Sequence, residues 1–376
     1  HHEEMLLVRY RIDGLLHDAM TLPKATGPSV VARVKVLSNM RLDEKRLPQD
    51  GRFKIDTGGE KVAFRVSTLP THYGEKIVMR LLREGGGGFS LESLGFHGVS
   101  LERVHGALRK STGIILITGP TGSGKTTTLY TILDILNTTD VNISTIEDPV
   151  EYQMARINQT QVRPEIGLTF SAGLRTLMRQ DPDIIMVGEI RDKETASLAI
   201  NAALTGHLVL ATLHTNSAAG AIPRMIDMGI EPFLLVSTIQ VIIAQRLVRQ
   251  LYKVHENKTV PLTTIASLEK QANLGLVLRT LKEEKIIPQE MAMKDIPFGV
   301  AAKSPENETG YAGRKSIIEV FETSPAIKEL IGKASPTDTL HEQARKEGML
   351  TMMEDGIYKA AAGITTLEEV LRVISE

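Results

Sequence analysis

Residues 119–126 read Gly119-Pro120-Thr121-Gly122-Ser123-Gly124-Lys125-Thr126, a complete Gly-x4-Gly-Lys-Thr phosphate-binding pattern. An apolar run at 114–118 precedes it, and 125–136 has the composition of a helix. Glycines let successive backbone N–H groups turn inward around an anion, and the helix N-terminus adds the positive end of its dipole. A strand before the pattern and a helix after it are the context that such a loop requires, so the stretch predicts a nucleotide site in an α/β fold.

Each part of this loop has an expected role in holding ATP. Lys125 should reach the β- and γ-phosphates, and the hydroxyl of Thr126 should ligate Mg²⁺. We therefore predict ATP and Mg²⁺ as the bound groups. The predicted nucleotide-binding residues are Gly119, Pro120, Thr121, Gly122, Ser123, Gly124, Lys125, Thr126 and Thr127.

Three later apolar runs alternate with helical patterns, as in a parallel sheet whose two faces are covered. They span 142–146, 184–188 and 207–213, and they lead into Glu147, Glu189 and His214. In open parallel sheets, ligands bind beyond the carboxyl ends of the strands. We therefore expect these three side chains to lie at one sheet edge with the phosphate loop.

The two glutamates are the candidates for acid–base work. Glu189 follows an apolar strand, like the acid of a Walker B segment, so it should hold Mg²⁺, directly or through a water, or polarise the attacking water. Glu147 is the other candidate base, and the sequence leaves open which of the two it is. One carboxylate near the metal and one near the γ-phosphate suit phosphoryl transfer. For Asp148 and Glu151, capping of a turn is an equally good explanation.

The two histidines flank the same predicted strand. His214 lies at its carboxyl end, where it can sense a γ-phosphate. His207 would lie about 23 Å away at the other end of a straight strand, so we expect it to orient a loop instead.

The first part of the chain predicts a small α+β domain at 1–84. A strand at 5–12 is closed by Asp13-Gly14, a hairpin-type turn, and the chain begins so close to it that the domain is expected to be truncated at its start. A short helix is expected at 29–39. Further strands are expected at 53–55, 62–67 and 76–82. Four glycines, Gly85 to Gly88, predict a flexible linker over 85–100.

The remainder, 101–376, is expected to form one ATPase domain. Within it, 236–251 is predicted to be a long apolar helix, and 253–310 to be polar and irregular. From 326 to the end the pattern predicts short helices.

Composition limits the possible partners. The 376 residues carry a formal net charge of -1, so no basic field favours nucleic acid. No apolar run approaches the roughly 18 residues that span a bilayer. The chain has no cysteine, which excludes disulfides and thiolate zinc sites.

Four motifs together resemble those of the secretion ATPases. Residues 118–127, 144–153, 174–192 and 203–216 are similar to the Walker A, Asp box, Walker B and His box of that superfamily. The most specific is 174–183, Leu-Arg-Thr-Leu-Met-Arg-Gln-Asp-Pro-Asp, running into Met-Val-Gly-Glu-Ile-Arg-Asp at 186–192. Residues 45–52 and 352–373 extend the resemblance to the branch of assembly ATPases of type II secretion and type IV pili.

The resemblance implies an α/β architecture with a RecA-like P-loop ATPase domain, a smaller PAS-like N-terminal domain and a helical C-terminal part at 322–376. It implies a Mg²⁺-dependent ATPase that works as a homo-hexamer and drives an inner-membrane platform protein to add pilin-like subunits to a filament. The location it implies is the cytoplasmic face of the inner membrane, with membrane association through partners only.

In that family the N-terminal domain supplies arginines to the nucleotide, and Arg65 and Arg80 match best. Such a cation stabilises transition-state charge and links hydrolysis to domain position. Both alternate with apolar residues and should face away from the core, so a solvated strand face is the competing explanation. Arg9 and Arg11 are weaker alternatives.

The sequence departs from the branch at its usual zinc site. Two Cys-x-x-Cys pairs are replaced by Tyr252 and His255 and by Lys303 and Glu306. One histidine and one carboxylate cannot complete a four-ligand structural site, so we predict no zinc in this former metal-site insertion, 252–310. Its docking to a platform protein is correspondingly open.

Three other functions compete. A retraction ATPase resembles this core but would lack the 253–310 insertion and the 363–373 ending. A RecA-like nucleic-acid translocase is disfavoured because no basic stripe with interleaved aromatics is visible and aromatics are 4% of the residues. A non-catalytic scaffold has no need for Lys125, Thr126, Glu147 and Glu189 together.

Overall fold

The structure is a computed structural model that describes residues 5–57, 60–83, 88–253 and 255–375. The chain divides into two compact units, residues 1–87 and 88–376. The units are described separately below.

The first unit contains a hairpin, a helix and a three-stranded antiparallel sheet. The hairpin turns at Asp13 and Gly14, whose positive φ values of 47° and 90° suit a tight turn. The strands and the helix expected from the sequence pattern are present. The first strand has the predicted bounds, and the others are longer than or slightly displaced from the predicted span. The elements are β1 (Met5–Ile12), β2 (Leu15–Pro23), α1 (Gly27–Leu37), β3 (Gln49–Thr57), β4 (Glu60–Thr71) and β5 (Gly74–Arg83).

A buried ion pair fixes α1 to the sheet of this unit. Lys35 lies 2.5 Å from Glu75, and the two side chains are 1% and 8% exposed. The ammonium of Lys35 also donates to the carbonyl oxygen of Glu44 at 2.7 Å. A buried charge is tolerated when it is paired in this way, and removing one partner alone is expected to cost about 3–5 kcal/mol.

The second unit is built on a seven-stranded sheet in the order β14-β11-β6-β10-β9-β7-β8. All neighbouring strands pair in parallel except β14, which is antiparallel to β11. The strands are β6 (Gly113–Thr118), β7 (Ile143–Glu147), β8 (Ile157–Gln161), β9 (Ile184–Val187), β10 (Leu208–Leu213), β11 (Ile239–Leu251) and β14 (Tyr311–Glu322), with β12 (His255–Thr259) and β13 (Pro297–Ala301) forming a separate pair.

Helices cover both faces of this sheet. Ile114 and Leu116 point into one hydrophobic core, and Ile115 and Ile117 of the same strand point into the other. All of β6 is buried, as expected for a central parallel strand with two covered faces. The helices are α2 (Leu91–Leu94), α3 (Gly98–Leu108), α4 (Lys125–Leu136), α5 (Phe170–Leu177), α6 (Lys193–Leu204), α7 (Ala221–Asp227), α8 (Pro232–Thr238), α9 (Leu262–Glu269), α10 (Leu274–Glu283), α11 (Pro325–Gly332), α12 (Thr337–Lys346), α13 (Met352–Ala361) and α14 (Leu367–Ser375).

The long helix predicted over 236–251 is wrong. Only α8 at its start is helical, and from Ile239 the chain forms β11, which pairs with both β6 and β14. The β-branched residues Val241, Ile242 and Ile243 favour a strand when sheet neighbours are available on both sides. This strand, the sixth of the parallel strands in chain order, lies next to the phosphate-loop strand.

The linker predicted over 85–100 is wrong in its second half. Residues 85–87 lie outside the described residues, but Leu91 begins α2 and is only 1% exposed. Ser90 and Ser93 form a reciprocal capping box at the start of this short helix. Phe96, 2% exposed, packs in the same core as Ile115 and Ile117. Residues 91–100 therefore belong to the packed second unit.

The segment 253–310 was predicted to be irregular, and this is also wrong. It contains β12, α9, α10 and β13, and Val277 and Leu281 of α10 are fully buried in the main core. Near its end, Asn307 holds a tight turn by accepting from the Gly310 N–H at 2.8 Å and donating to the Tyr311 carbonyl at 2.8 Å. The hydroxyl of Tyr252 donates to Glu306 at 3.1 Å, which joins the two ends of the insertion.

A buried polar cluster connects α3, α10 and α13. His97 hydrogen-bonds to Glu284 at 2.8 Å and to Asp355 at 2.6 Å. Burial alone lowers the pKa of His97, but these two carboxylates outweigh it and raise the pKa to about 9. The charged histidine therefore joins the start of the second unit to its C-terminal helices.

Within the described residues, no helix combines the length and the apolar composition needed to cross a membrane.

Candidate functional site

The phosphate loop has the backbone that its glycines predict. It leaves the end of β6 and returns at Gly124, which caps α4 with a φ of 92°. Gly119 and Gly122 also have positive φ, 144° and 82°. Only glycine adopts these conformations without strain, and they allow consecutive N–H groups to face one anion.

Lys125, the first residue of α4, folds back over the loop. Its ammonium donates to the carbonyl oxygens of Gly119 at 2.8 Å and Pro120 at 3.0 Å. Burial lowers the pKa of Lys125, and the carboxylate of Glu189 opposes this shift. Lys125 and Glu189, from two different strand ends, are thus close enough to interact electrostatically. Thr126 and Thr127 are exposed on the first turn of α4.

Glu189 lies two residues beyond the end of β9 and faces His214. Its side chain is 12% exposed; one carboxylate oxygen pairs with Arg191, and the other is 3.4 Å from His214 Nε2. That second oxygen, Oε2, is buried and accepts no hydrogen bond. At 3.4 Å the two groups are in contact, but the geometry is too poor for a hydrogen bond. Glu189 and His214 therefore meet at the predicted edge.

Glu147 is the last residue of β7 and is almost fully buried, with 3% exposure. Thr145 donates to its Oε1 at 2.6 Å, Gln159 donates to the same atom at 3.2 Å, and the hydroxyl of Tyr130 donates to Oε2. Burial raises the pKa of Glu147, although these hydrogen bonds oppose the shift. A carboxylate with a raised pKa is better matched to proton transfer near neutral pH.

The segment after β10 is tied directly to the phosphate-loop strand. The Thr118 hydroxyl, at the end of β6, accepts from the Thr215 N–H at 2.8 Å and lies 2.6 Å from the Thr215 hydroxyl. The Thr212 hydroxyl donates to the Gly188 carbonyl at 2.6 Å, which joins the ends of β10 and β9. These contacts set the positions of His214 and Glu189 relative to the loop.

Several residues that organise this site were missed by the sequence reasoning. Tyr130, Thr145 and Gln159 surround Glu147, and Thr118 and Thr215 tie the strand ends together. The sequence offers a signal for three of them, since Thr118, Thr145 and Thr215 lie inside the Walker A, Asp box and His box motifs. Tyr130 and Gln159 come from a helix and a neighbouring strand, and only the fold brings them to Glu147.

The remaining predicted residues belong to other elements of the chain. His207 precedes β10 at the opposite sheet edge, where its Nδ1 is 2.8 Å from the Ala202 carbonyl, a position consistent with orienting a loop.

Arg65 and Arg80 belong to the first unit, on β4 and β5, where they are directly opposite each other. Arg52 on β3 is opposite Arg65 in turn, so three arginines cross one face of that sheet. Like charges directly opposite each other destabilise a sheet unless an anion offsets them.

A model of the family described as "Type II/IV secretion system protein" matches residues 1–372. The chain belongs to this family. It is 46% identical over 374 residues to the type II secretion system protein E of Xanthomonas campestris pv. campestris, which covers 100% of this chain and 63% of that protein. It is 44% identical over 380 residues to the type IV pilus assembly ATPase PilB of Pseudomonas aeruginosa, again covering 100% of this chain and 63% of the relative.

The chain therefore spans less than two thirds of the length of both relatives. The crystal structure of the pilus retraction motor PilT with bound ADP covers 97% of this chain and 89% of that chain, with a TM-score of 0.62 and 28% identity. The predicted family is confirmed, and so is an α/β fold with a largely parallel central sheet.

Proposed function

We propose that this chain is the ATP-hydrolysing subunit of a motor that assembles a type IV pilus or a type II secretion pseudopilus. The observation that carries this proposal is the meeting of a complete phosphate loop with Glu147, Glu189 and His214 at the carboxyl edge of one parallel sheet. Membership of the secretion family and its relatives' names, a type II secretion protein E and a pilus assembly ATPase, supply the biological setting.

In the proposed reaction the loop N–H groups bind the β-phosphate, and Lys125 leaves its two carbonyl partners to contact the β- and γ-phosphates. That exchange is favourable because a phosphate oxygen is a charged acceptor and a carbonyl is not. A carboxylate, Glu147 or Glu189, then orients and deprotonates the attacking water. His214, half exposed beside Glu189, is positioned to respond to the γ-phosphate.

The residues around Glu189 fit a bound Mg²⁺. Two buried oxygens near the loop, Ser123 Oγ and Glu189 Oε2, have no hydrogen-bond partner, which is unfavourable unless a cation, a water or substrate reaches them. Thr126 and Glu189 would hold the ion, Glu189 directly or through a water. Bound there, Mg²⁺ would supply positive charge that offsets the negative charge of the phosphates.

Removal of divalent metal tests this proposal. Turnover of ATP, measured by phosphate release from the full chain, is expected to fall to background in EDTA and to recover with excess MgCl₂. The melting temperature is expected to be unchanged in EDTA, because we predict no structural zinc, and a structural metal would contribute directly to folding. Turnover that persists in EDTA would contradict the assignment of Mg²⁺, and a lower melting temperature would contradict the predicted absence of zinc.

We further propose the assembly that the family resemblance implies. Residues 101–376 would be a RecA-like domain and residues 1–84 a PAS-like domain, with six copies of the chain in a ring. The ring would act at the cytoplasmic face of the inner membrane on a platform protein, without contacting nucleic acid. Sedimentation of the full chain with a non-hydrolysable ATP analogue tests the hexamer, and a monomer under saturating analogue would contradict it.

Arg65 and Arg80 are proposed to contact the nucleotide phosphates from the first unit. The support is the row that they form with Arg52, because a nearby anion would offset the repulsion between like charges directly opposite each other. Arg65→Ala and Arg80→Ala are each expected to lower kcat roughly 10³-fold or more if they act as arginine fingers, since such residues contribute 10³–10⁵. Arg33→Ala is the matched control, because Arg33 is an exposed arginine on α1 and not on this sheet, and it should keep wild-type turnover. Full activity in both arginine variants would remove this role.

Retraction is the second candidate function, and the PilT structure favours it. Assembly is preferred because identity to the assembly ATPase PilB of Pseudomonas aeruginosa is 44%, against 28% to PilT. The chain also contains the 253–310 segment, which a retraction motor is expected to lack.

A further inference from the structure

The phosphate loop lies against a buried glutamine that has no part in the reaction proposed above. Gln245 is on β11, next to β6, and its side chain is 0% exposed. Its Nε2 donates to the Ser123 carbonyl at 2.8 Å, and its Oε1 accepts from the Thr128 hydroxyl at 3.0 Å. One side chain therefore connects the last part of the loop with the first turn of α4.

The hydrogen bond from Gln245 to the Ser123 carbonyl fixes the direction of the Gly124 N–H. In a trans peptide, the C=O of Ser123 and the N–H of Gly124 point in opposite directions. Because Gln245 holds this carbonyl, the Gly124 N–H is directed away from Gln245. An anion nest requires consecutive N–H groups that face the anion. A carbonyl turned to the same side would repel a phosphate instead.

The loop glycines allow this close contact with β11. A Cβ on Gly119 would lie 2.4 Å from the carbonyl oxygen of Gln245, and a Cβ on Gly124 would lie 3.0 Å from its Nε2. Any larger residue at Gly119 would therefore push the loop away from the strand. The two glycines therefore allow the loop to pack directly against Gln245.

The strand that carries Gln245 is itself held firmly. The neighbouring Arg246 donates to the Val373 carbonyl at 2.5 Å, and Arg249 pairs with the buried Glu369 at 2.7 Å. The hydrogen bonds of β11 to β6 and β14 add to these contacts. These contacts hold Gln245 in place, so its side-chain amide can fix the position of the loop.

We propose that Gln245 is a positioning residue for nucleotide binding, because its side-chain amide holds the Ser123 peptide so that the Gly124 N–H faces the phosphates. It touches neither the phosphates nor the water, and it acts through the loop. The assignment rests on the proposed nucleotide site at Gly119–Gly124 and adds to it a residue outside the Walker A motif.

Replacement of Gln245 by leucine tests the assignment, since it removes the amide at similar volume. The Kd for fluorescent mant-ADP and the KM for ATP are expected to rise together by about ten- to a hundredfold, the range that follows from losing the hydrogen bond of the Gly124 N–H to a charged phosphate. The loop binds phosphate in the ground state and in the transition state alike, so kcat at saturating ATP is expected to change by less than about threefold. A merely structural role would lower the melting temperature without moving Kd.

Gln240→Leu is the matched control, because Gln240 lies on the same strand at the other sheet edge, 3.4 Å from the Thr112 carbonyl. It should keep the wild-type Kd. An unchanged Kd in folded Gln245→Leu would overturn the assignment. If that variant does not fold, Thr128→Val decides, with an expected rise in Kd of about three- to tenfold and an unchanged Kd as the contrary result. Wild-type mant-ADP binding in Lys125→Ala would instead refute the nucleotide site itself.

Discussion

Lys125→Ala is expected to reduce ATP turnover at least about 100-fold. This is the effect of removing one preorganised charge or hydrogen-bond donor from a site where negative charge develops in the transition state. The ammonium lies over the loop and donates to two of its backbone carbonyls. Alanine removes the only side chain of the loop that brings positive charge to the phosphates. Steady-state phosphate release by the full chain measures the effect, and mant-ADP binding should weaken in parallel.

The matched control is Lys110→Ala. Lys110 lies at the opposite edge of the sheet, where its ammonium is 2.5 Å from Gln240 Oε1. Its loss removes the same charge from the chain and should leave turnover unchanged. The melting temperature of Lys125→Ala should stay near that of the wild type, because the loop carbonyls it releases can hydrogen-bond to water. The site assignment would be contradicted if turnover in Lys125→Ala stayed within about threefold of wild type, a difference of under 1 kcal/mol in the barrier.

The carboxyl edge of the parallel sheet could be predicted from the sequence at four of its strands, β6, β7, β9 and β10. Buried parallel strands are short, continuous apolar runs, and the residue after each run must lie at the carboxyl edge. Glu147, Glu189 and His214 follow such runs directly, so connectivity alone brings them together. No knowledge of side-chain contacts was needed for this part of the site.

β11 was not predictable in the same way, because a buried apolar run has no periodicity that separates strand from helix. Residues 236–251 continue from a genuine helical turn, α8, into a strand without a glycine or proline between them. Its strand state depends on pairing with β6 and β14, which are far away in sequence. Gln245 was hidden by the same error, since its role depends on lying beside the phosphate loop.

The surroundings of Glu147 illustrate a second limit. Its three donors come from α4, β7 and β8, and of these only Thr145 is near in sequence. Burial of the carboxylate, which raises its pKa, is likewise a property of the packed sheet. The sequence could name two candidate bases but could not describe how their environments differ.

Glu189→Gln and Glu147→Gln are both expected to abolish turnover while leaving mant-ATP binding measurable. Removal of a general base costs about 10²–10⁴-fold, and glutamine keeps the volume of each side chain. If only one variant loses turnover, that residue is the base. Glu194→Gln is the matched control. Glu194 lies on α6, away from the loop, and its exposed carboxylate pairs with Arg175 of α5. Wild-type turnover in both Glu147→Gln and Glu189→Gln would contradict the assignment of either carboxylate.

The pH dependence of kcat separates the two bases further. A base must be deprotonated to act, so kcat should fall on the acid side as the pH drops through the pKa of that carboxyl in the bound state. Burial places the pKa of Glu147 above 4.5, and the Tyr130 hydrogen bond lowers it. Tyr130→Phe should therefore move the acid limb to higher pH if Glu147 is the base, and leave it in place if Glu189 is. Tyr152→Phe is the control, because Tyr152 packs edge-on against Tyr130 at 4.6 Å and its hydroxyl is not one of the three donors to Glu147.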